Sequence, residues 1–408
     1  MAPEPSPGYR AALRQPLVRR LWLASLTSTI GDYVALGALL FLAADRTGLT
    51  LGAAIVVAVG VVPSALTGIL GGRWLDRTHR ARTLAALQLL GGLIVCLPVL
   101  IDGVAVVIVT AAGLAAVRVA TVSVRSGAMA EGLHDDHRGP LVALLSTTDQ
   151  AAQVLGYLAG AGLYVAIGAD AALLLDAATF VIGALLLLGL PLPEPTTSPP
   201  PSTLSTGVRT ILGHPALRLF ALLTLATGIV GSLPEVLAPT VAGPDDPLRP
   251  LVLAAAPAGQ AVVMTVLGRT RAIRRPRTLL LHFTALAGAL GLAAFARTPA
   301  QIAAANLLIG AGAGWYVGAQ LLFLRLAPPA RMAQVTGAMV AGLAIADGLG
   351  SLGLALLADL SGVAAAYGTG GALLAVIALL GALARRRSAA IVVLDEPDHA
   401  PDMQRHDA

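Results

Sequence analysis

Apolar residues run along this chain in blocks of about twenty, parted by short segments that carry arginine, glycine and proline. A helix needs about 20 apolar residues to cross a bilayer. Twelve blocks meet that length, at 19–42, 50–72, 82–101, 103–126, 139–165, 170–190, 217–241, 250–269, 277–296, 299–325, 332–359 and 363–384. The glycines and prolines within them do not argue against helix, since both are commoner in membrane helices than in soluble ones. The first block is longer than the apolar core of a signal peptide, and further spans follow it. The pattern predicts an all-α integral membrane protein.

The polar segments set the orientation. Arginine accumulates on the cytoplasmic side of membrane proteins. With the N-terminus inside, 24 of the 27 arginines fall in or beside inner segments, and only Arg46, Arg249 and Arg297 fall in outer loops. Both termini are therefore expected in the cytoplasm, with the protein in the inner or plasma membrane. Residues 191–216 are rich in proline, serine and threonine and read as a cytoplasmic linker. The linker divides a six-span bundle at 19–190 from a second at 217–384, with a cytoplasmic N-terminal tail at 1–18 and a polar tail, expected to be disordered, at 385–408. Twelve transmembrane helices in two pseudo-symmetric six-helix bundles suggest a transporter, with its substrate site at the bundle interface near mid-membrane.

Composition narrows the chemistry. The chain is 56% hydrophobic and 12% charged, with mean hydropathy +0.81, against about 25% charged residues in soluble domains. It has no lysine, which excludes a Walker A phosphate loop and Schiff-base or pyridoxal phosphate catalysis. No enzyme activity and no cofactor are expected. The single cysteine, Cys96, cannot form an internal disulfide and reads as a small buried apolar residue. The arginines are dispersed between apolar blocks, unlike the basic surface of a nucleic-acid binder. The pair His134 and His137, with two aspartates between them, reads as a polar turn rather than a metal site.

The segment after the second span reads Gly72-Arg-Trp-Leu-Asp76-Arg77-Thr-His79-Arg80-Ala81-Arg82. It resembles the signature loop of the major facilitator superfamily, G-x-x-x-D-R-x-G-R-R, through Gly72, Asp76, Arg77 and Arg80. His79 stands in place of the glycine and Ala81 in place of a basic residue. The resemblance implies that Asp76 faces the start of helix 11, near Met332 to Thr336, and holds a cytoplasmic gate. A carboxylate there would be favoured by the positive end of that helix. The equivalent loop from Gly268 to Arg277 keeps the arginines and lacks the acid. The stretches RRLWLASLTSTIGDYVALGALLFL, LLLDAATFVIGALLLL and TILGHPALRLF look like the branch that holds siderophore and macrolide exporters. Arg118 is weakly similar to the family's helix 4 motif, and Gly156-Tyr157-x-x-Gly160 to its antiporter motif, with Tyr157 where proline is usual.

An ionisable side chain at bilayer depth costs about 2.5–3.5 kcal/mol on insertion scales and marks a functional candidate. Asp32 in the first span is the foremost, as a proton carrier or as a structural partner of Arg118. Asp149 and Asp347 are further candidates for proton coupling. Asp176, with Thr179 three positions on, reads as structural. Glu235 could line an outer vestibule, and His282 reads as a packing residue. Aromatic residues are only 4% of the chain, and Tyr33, Tyr157, Phe180, Trp315 and Tyr316 fall inside spans, where they could line a substrate cavity. Trp22 and Trp74 read as interface anchors. Glycine runs such as Gly310-x-Gly312-x-Gly314 and Gly348-x-Gly350 suggest close helix packing. The expected function is proton-driven export of a small amphipathic molecule by a monomer. A nutrient importer of the same fold and a non-transporting sensor or partner subunit remain the alternatives.

Overall fold

The structure is a computed structural model that describes residues 13–67, 79–132, 135–192, 204–244, 246–268, 276–313 and 331–387. Among these residues the chain is all-helical. The helices of the first half are α1 (Pro16–Thr47), α2 (Thr50–Val59), α3 (Val61–Leu66), α4 (Arg80–Val95), α5 (Leu97–Leu100), α6 (Val104–Gly132), α7 (Asp135–Ile167) and α8 (Ala169–Leu187). Then follow α9 (Leu204–Gly213), α10 (Pro215–Gly231), α11 (Leu233–Val241), α12 (Arg249–Gly268), α13 (Pro276–Ala293), α14 (Pro299–Gly312), α15 (Met332–Ser361) and α16 (Val363–Arg387).

Each of the twelve expected spans holds a helix or a broken pair of helices, though the second, eighth and tenth run on into residues outside those described. Nine described helices are long and apolar enough to cross a membrane, and two shorter apolar ones cover Thr50–Ser64 and Leu281–Ala293. Three spans are interrupted where the sequence supplies a reason. Pro98 and Pro234 sit at the second position of α5 and α11, where a missing N–H costs nothing, and Gly60 parts α2 from α3. Thr298 and Gln301 form a reciprocal capping box that starts α14.

Two boundaries differ from expectation. Part of the linker, 204–213, is the helix α9, which packs on the start of α15. Its apolar residues recur at helical spacing, and that face finds a partner in α15. The last helix continues through Arg387, so the first three tail residues are helical.

The two halves repeat one pairing scheme. In the first, α1 packs on α7, α4 on α6 and α8, and α2 and α3 on α6. In the second, α10 packs on α15, α13 on α14 and α16, and α12 on α14. The halves meet where α7 packs on α12 and α2 on α15, contacts that exchange under the same repeat. Close approach at Gly160 brings the α7 backbone against Val34 of α1, and Gly310 brings α14 against Ala256 of α12; a Cβ at either would collide with a carbonyl oxygen. Large apolar residues such as Leu100 and Phe295 stay exposed, as they must in a protein that presents its flanks to lipid.

Because consecutive helices alternate in direction, their ends gather at two faces. One face, called proximal here, holds the start of α1 beside the end of α8, tied by Arg20 donating to the carbonyls of Leu186 and Leu188. The opposite, distal face holds the end of α1 and the starts of α2 and α12.

Candidate functional site

A cavity of about 310 Å³ opens within the first half, walled by α1, α4, α6, α7 and α8. Helical periodicity builds it. Ser25, Ser28 and Asp32 are spaced three and four apart and so share one face of α1. Arg118 and Arg125 are two turns apart on α6. Asp149 lies on the face of α7 that also carries Gln153 and Tyr157. The faces of α1, α6 and α7 converge, so that Asp32, Arg118, Arg125 and Asp149 all line one space. Leu21, Leu84, Leu145 and Leu187 also line it; each lies toward the proximal end of its helix, so the cavity belongs to the proximal half of the molecule.

Arg125 donates to Ser25 Oγ at 2.9 Å, and Ser28 donates to Gln88 Oε1 at 3.2 Å. The Arg118 guanidinium stands over the Tyr33 ring, 5.8 Å from its centroid. Both arginines act electrostatically on Asp32 and Asp149. Among the described residues no direct ion pair holds either acid. Two carboxyls and two guanidiniums therefore face one cavity, balanced in charge but not locked together. Such an arrangement can exchange one partner for a ligand or a proton without leaving the other wholly uncompensated.

A polar path leads from this cavity into the seam between halves. Tyr33 meets Tyr157 edge-on at 5.3 Å. The buried Tyr157 donates to Glu235 Oε2 at 2.8 Å, and Gln153 Nε2 donates to Glu235 Oε1 at 3.4 Å. Glu235 thus sits in the seam between α7 and α11. Asp347 lies in α15 and accepts from the Ser232 backbone N–H at 3.1 Å and from the Ser232 hydroxyl at 2.8 and 2.9 Å. It braces the break between α10 and α11 and does not line the cavity.

The other expected residues fall as follows. Tyr33 and Phe180 line the cavity, Phe180 with its ring pressed against Gly91 of α4. Tyr157 lies behind Tyr33 and outside the lining. Asp176 is fully buried in α8 beside Gly31 of α1, with one oxygen taking the Thr179 hydroxyl at 3.0 Å. Trp22 is half-buried, and its indole donates to Thr148 Oγ1 at 2.9 Å. His282 lines a separate groove between α12, α13 and α14. Arg80 is 5% exposed at the start of α4, packed against Gly127 of α6. Gly72, Asp76, Arg77, Trp74, His134, Trp315 and Tyr316 lie outside the described residues.

Sequence reasoning misses the distal face. The arginine count places Arg249 in an outer loop, yet it is wholly buried at the first position of α12 and bonds Asp45 at 2.6 and 3.0 Å. The signal in the sequence is an acid and a base each standing at a distal span end, too common a pattern to single out by itself.

The family model of the Major Facilitator Superfamily matches residues 21–245, more than half of the chain. The chain belongs to the Major Facilitator Superfamily. Solved structures with the same fold include the nucleoside transporter NupG, at TM-score 0.70 and 11% identity, over 94% of this chain and all of that one. The peptide transporter POT in complex with sulfate superposes at TM-score 0.71 and 16% identity, over 93% of this chain and 96% of that one. A bacterial homolog of the human lysosomal transporter Spinster, inward-facing and unoccupied, follows at TM-score 0.65 and 15% identity, over 94% of this chain and 100% of that one. At these identities the likeness shows the fold alone. No protein of curated function matches the sequence. As a member of this superfamily the protein is a multi-pass membrane transporter for a small molecule.

Proposed function

We propose that the protein is a proton-driven exporter of a small amphipathic molecule, of the kind that includes drugs, antibiotics and siderophore-like metabolites. It works as a monomer in the cell membrane with both termini in the cytoplasm. The observation that carries this reading is the cavity shared by Asp32, Asp149, Arg118 and Arg125. Acids inside a membrane bundle are costly and are retained where they move ions or protons. In the reading, Asp32 and Asp149 exchange protons as the cavity changes sides, and Arg118 and Arg125 keep the emptied acids compensated. Tyr33 and Phe180 give the substrate an apolar wall, and Trp315 and Tyr316 are further candidates for contact with the substrate. Asp347 and Glu235 take the supporting role of coupling the seam to the cavity. Gly72, Asp76, Arg77 and Arg80 form the cytoplasmic gate. The likeness of the first, sixth and seventh spans to the siderophore and macrolide exporter branch supports the direction outward.

The test compares cells with and without the protein by mass spectrometry of cytoplasm and medium. A compound that builds up inside and falls outside in the deletion strain supports export and identifies the substrate. The reverse pattern assigns import. No difference across growth phases, with expression verified, overturns transport and leaves the sensor reading. Proton release from acid-loaded vesicles on adding the compound then tests the coupling.

A further inference from the structure

The cavity of the first half is layered along its depth. Arg125 bonds Ser25 of α1, and Trp22 of the same helix bonds Thr148, the chain neighbour of Asp149. Arg125 and Asp149 therefore share one level, near the proximal mouth. Arg118 stands over the ring of Tyr33, the chain neighbour of Asp32. Arg118 and Asp32 share a second level, two helical turns or about 10 Å deeper. Val122, between the two arginines on α6, and Phe180 of α8 also line the space. Ser28 and Gln88 are bonded to each other there.

Each level carries one acid and one arginine, on different helices. The levels differ in how far those charges are satisfied. At the mouth, Arg125 has the Ser25 hydroxyl as an acceptor at 2.9 Å. At the deep level, Asp32 and Arg118 make no hydrogen bond and no ion pair among the described residues. Arg118 is nonetheless the cation that acts most strongly on Asp32. A carboxylate and a guanidinium that face one space without touching leave room for a third group that touches both.

We infer that the substrate carries an amino-acid-like head group, with an acid and an amine on neighbouring atoms, and that this head binds between Arg118 and Asp32. Its carboxylate takes the Arg118 guanidinium, whose fork suits a two-oxygen acceptor. Its ammonium takes Asp32. Its apolar part runs along Tyr33, Val122 and Phe180. Compensation selects this head among the alternatives. A neutral head displaces water from both charges and gives neither a partner. A simple amine strands Arg118, and a simple acid strands Asp32; an enclosed charge without its partner is strongly unfavourable. The ammonium and a proton also exclude each other at Asp32, which is the exclusion that proton-driven export requires.

This assignment deepens the proposed function, since it takes the cavity as the substrate site, and it can fail while export stands. Three probes share one apolar body: phenylalanine with both charges, phenethylamine with the amine alone and phenylpropanoate with the acid alone. Their dissociation constants are measured by calorimetry on full-length protein in lipid nanodiscs. Phenylalanine is expected to bind at least about tenfold more tightly than either single-charge probe. Asp32→Asn brings it to the level of phenylpropanoate, and Arg118→Gln to that of phenethylamine. Arg125→Gln and Asp149→Asn leave the ranking of the three in place. Either single-charge probe binding as tightly as phenylalanine overturns the inference; if that probe is phenethylamine, proton-driven export of a cation still stands. Binding of none of the three by folded protein overturns it too, since the deep charges are then met by cavity water alone. Loss of the ranking in Arg125→Gln or Asp149→Asn, with Asp32→Asn and Arg118→Gln unaffected, moves the head group to the mouth and overturns its placement. Where a variant does not fold, the ranking in the native protein decides by itself.

Discussion

The two halves of this protein share a helix-pairing scheme but not a policy toward polar groups. In the first half Asp32, Asp149, Arg118 and Arg125 face an open cavity, and no direct ion pair among the described residues holds the two acids. In the second, the principal buried amide and charged groups are committed. Asn306 donates to the Val252 carbonyl at 3.1 Å and accepts from Tyr367 at 2.8 Å. Asp347 is taken up by Ser232, and Arg249 by Asp45 of the opposite half. A buried polar group with its bonds made rigidifies, while one with bonds to spare is available to a ligand or proton. In the proposed function the exchangeable charges belong to the first half, and the committed groups give the second half its rigidity.

The largest effect should fall on the feature the halves share. Gly160→Leu and Gly350→Leu, at equivalent helix contacts of the two halves, each force apart two helix backbones, and each is expected to cost ~3 kcal/mol or more in stability, as overpacking does. Thermal unfolding in detergent checks both, and damage confined to one half would break the symmetry of the packing scheme.

Next comes the contrast between acids. Asp32→Asn is expected to cut substrate-dependent proton flux at least about tenfold, an effect worth about 1.4 kcal/mol in the barrier, with little change in melting temperature. Asp347→Asn is expected to do the opposite, losing about 1.5–3 kcal/mol of stability with its charge-assisted bonds while flux stays within a few-fold. Equal flux defects in the two would dissolve the division of labour.

The seam between halves gives a smaller effect. Tyr157→Phe removes one of the two bonds that Glu235 accepts, and about 1–3 kcal/mol of destabilisation follows from the acceptor left short. A melting temperature equal to the native protein's would place Glu235 in contact with water rather than in the seam. Smallest of all is Asp102→Ala. Its bond to Arg46 lies in the open on the distal face, with Asp102 98% exposed, and such pairs contribute less than about 1 kcal/mol. A clear loss of stability there would mean that exposed charge pairs matter to this fold as buried ones do.

Much of this architecture is legible in the order of residues alone. Apolar blocks near twenty residues long, the arginine bias and the loop at Gly72–Arg82 point to the helices and to the superfamily because each is a local property. Length, hydropathy and a short motif can be read without knowing what touches what. The cavity acids are legible for a related reason, since a charge inside an apolar block stands out wherever that block ends up. Even the convergence of Ser25, Ser28 and Asp32 on one face follows from the helical period alone.

What the sequence by itself determined, then, was the set of helices, their alternation and the positions where charge enters the membrane. Only the tertiary structure decided which of those charges are free and which are spent. Asp45 and Arg249 stand 204 positions apart, and Asp359 meets the start of α2 across 309. Counting arginines along the chain makes Arg249 a loop residue, and hydropathy ranks Asp347 beside Asp32. Neither measure carries the one fact that separates them, which is the partner supplied by a distant helix. A buried charge is defined by what faces it, and that is settled only when the two halves close on each other.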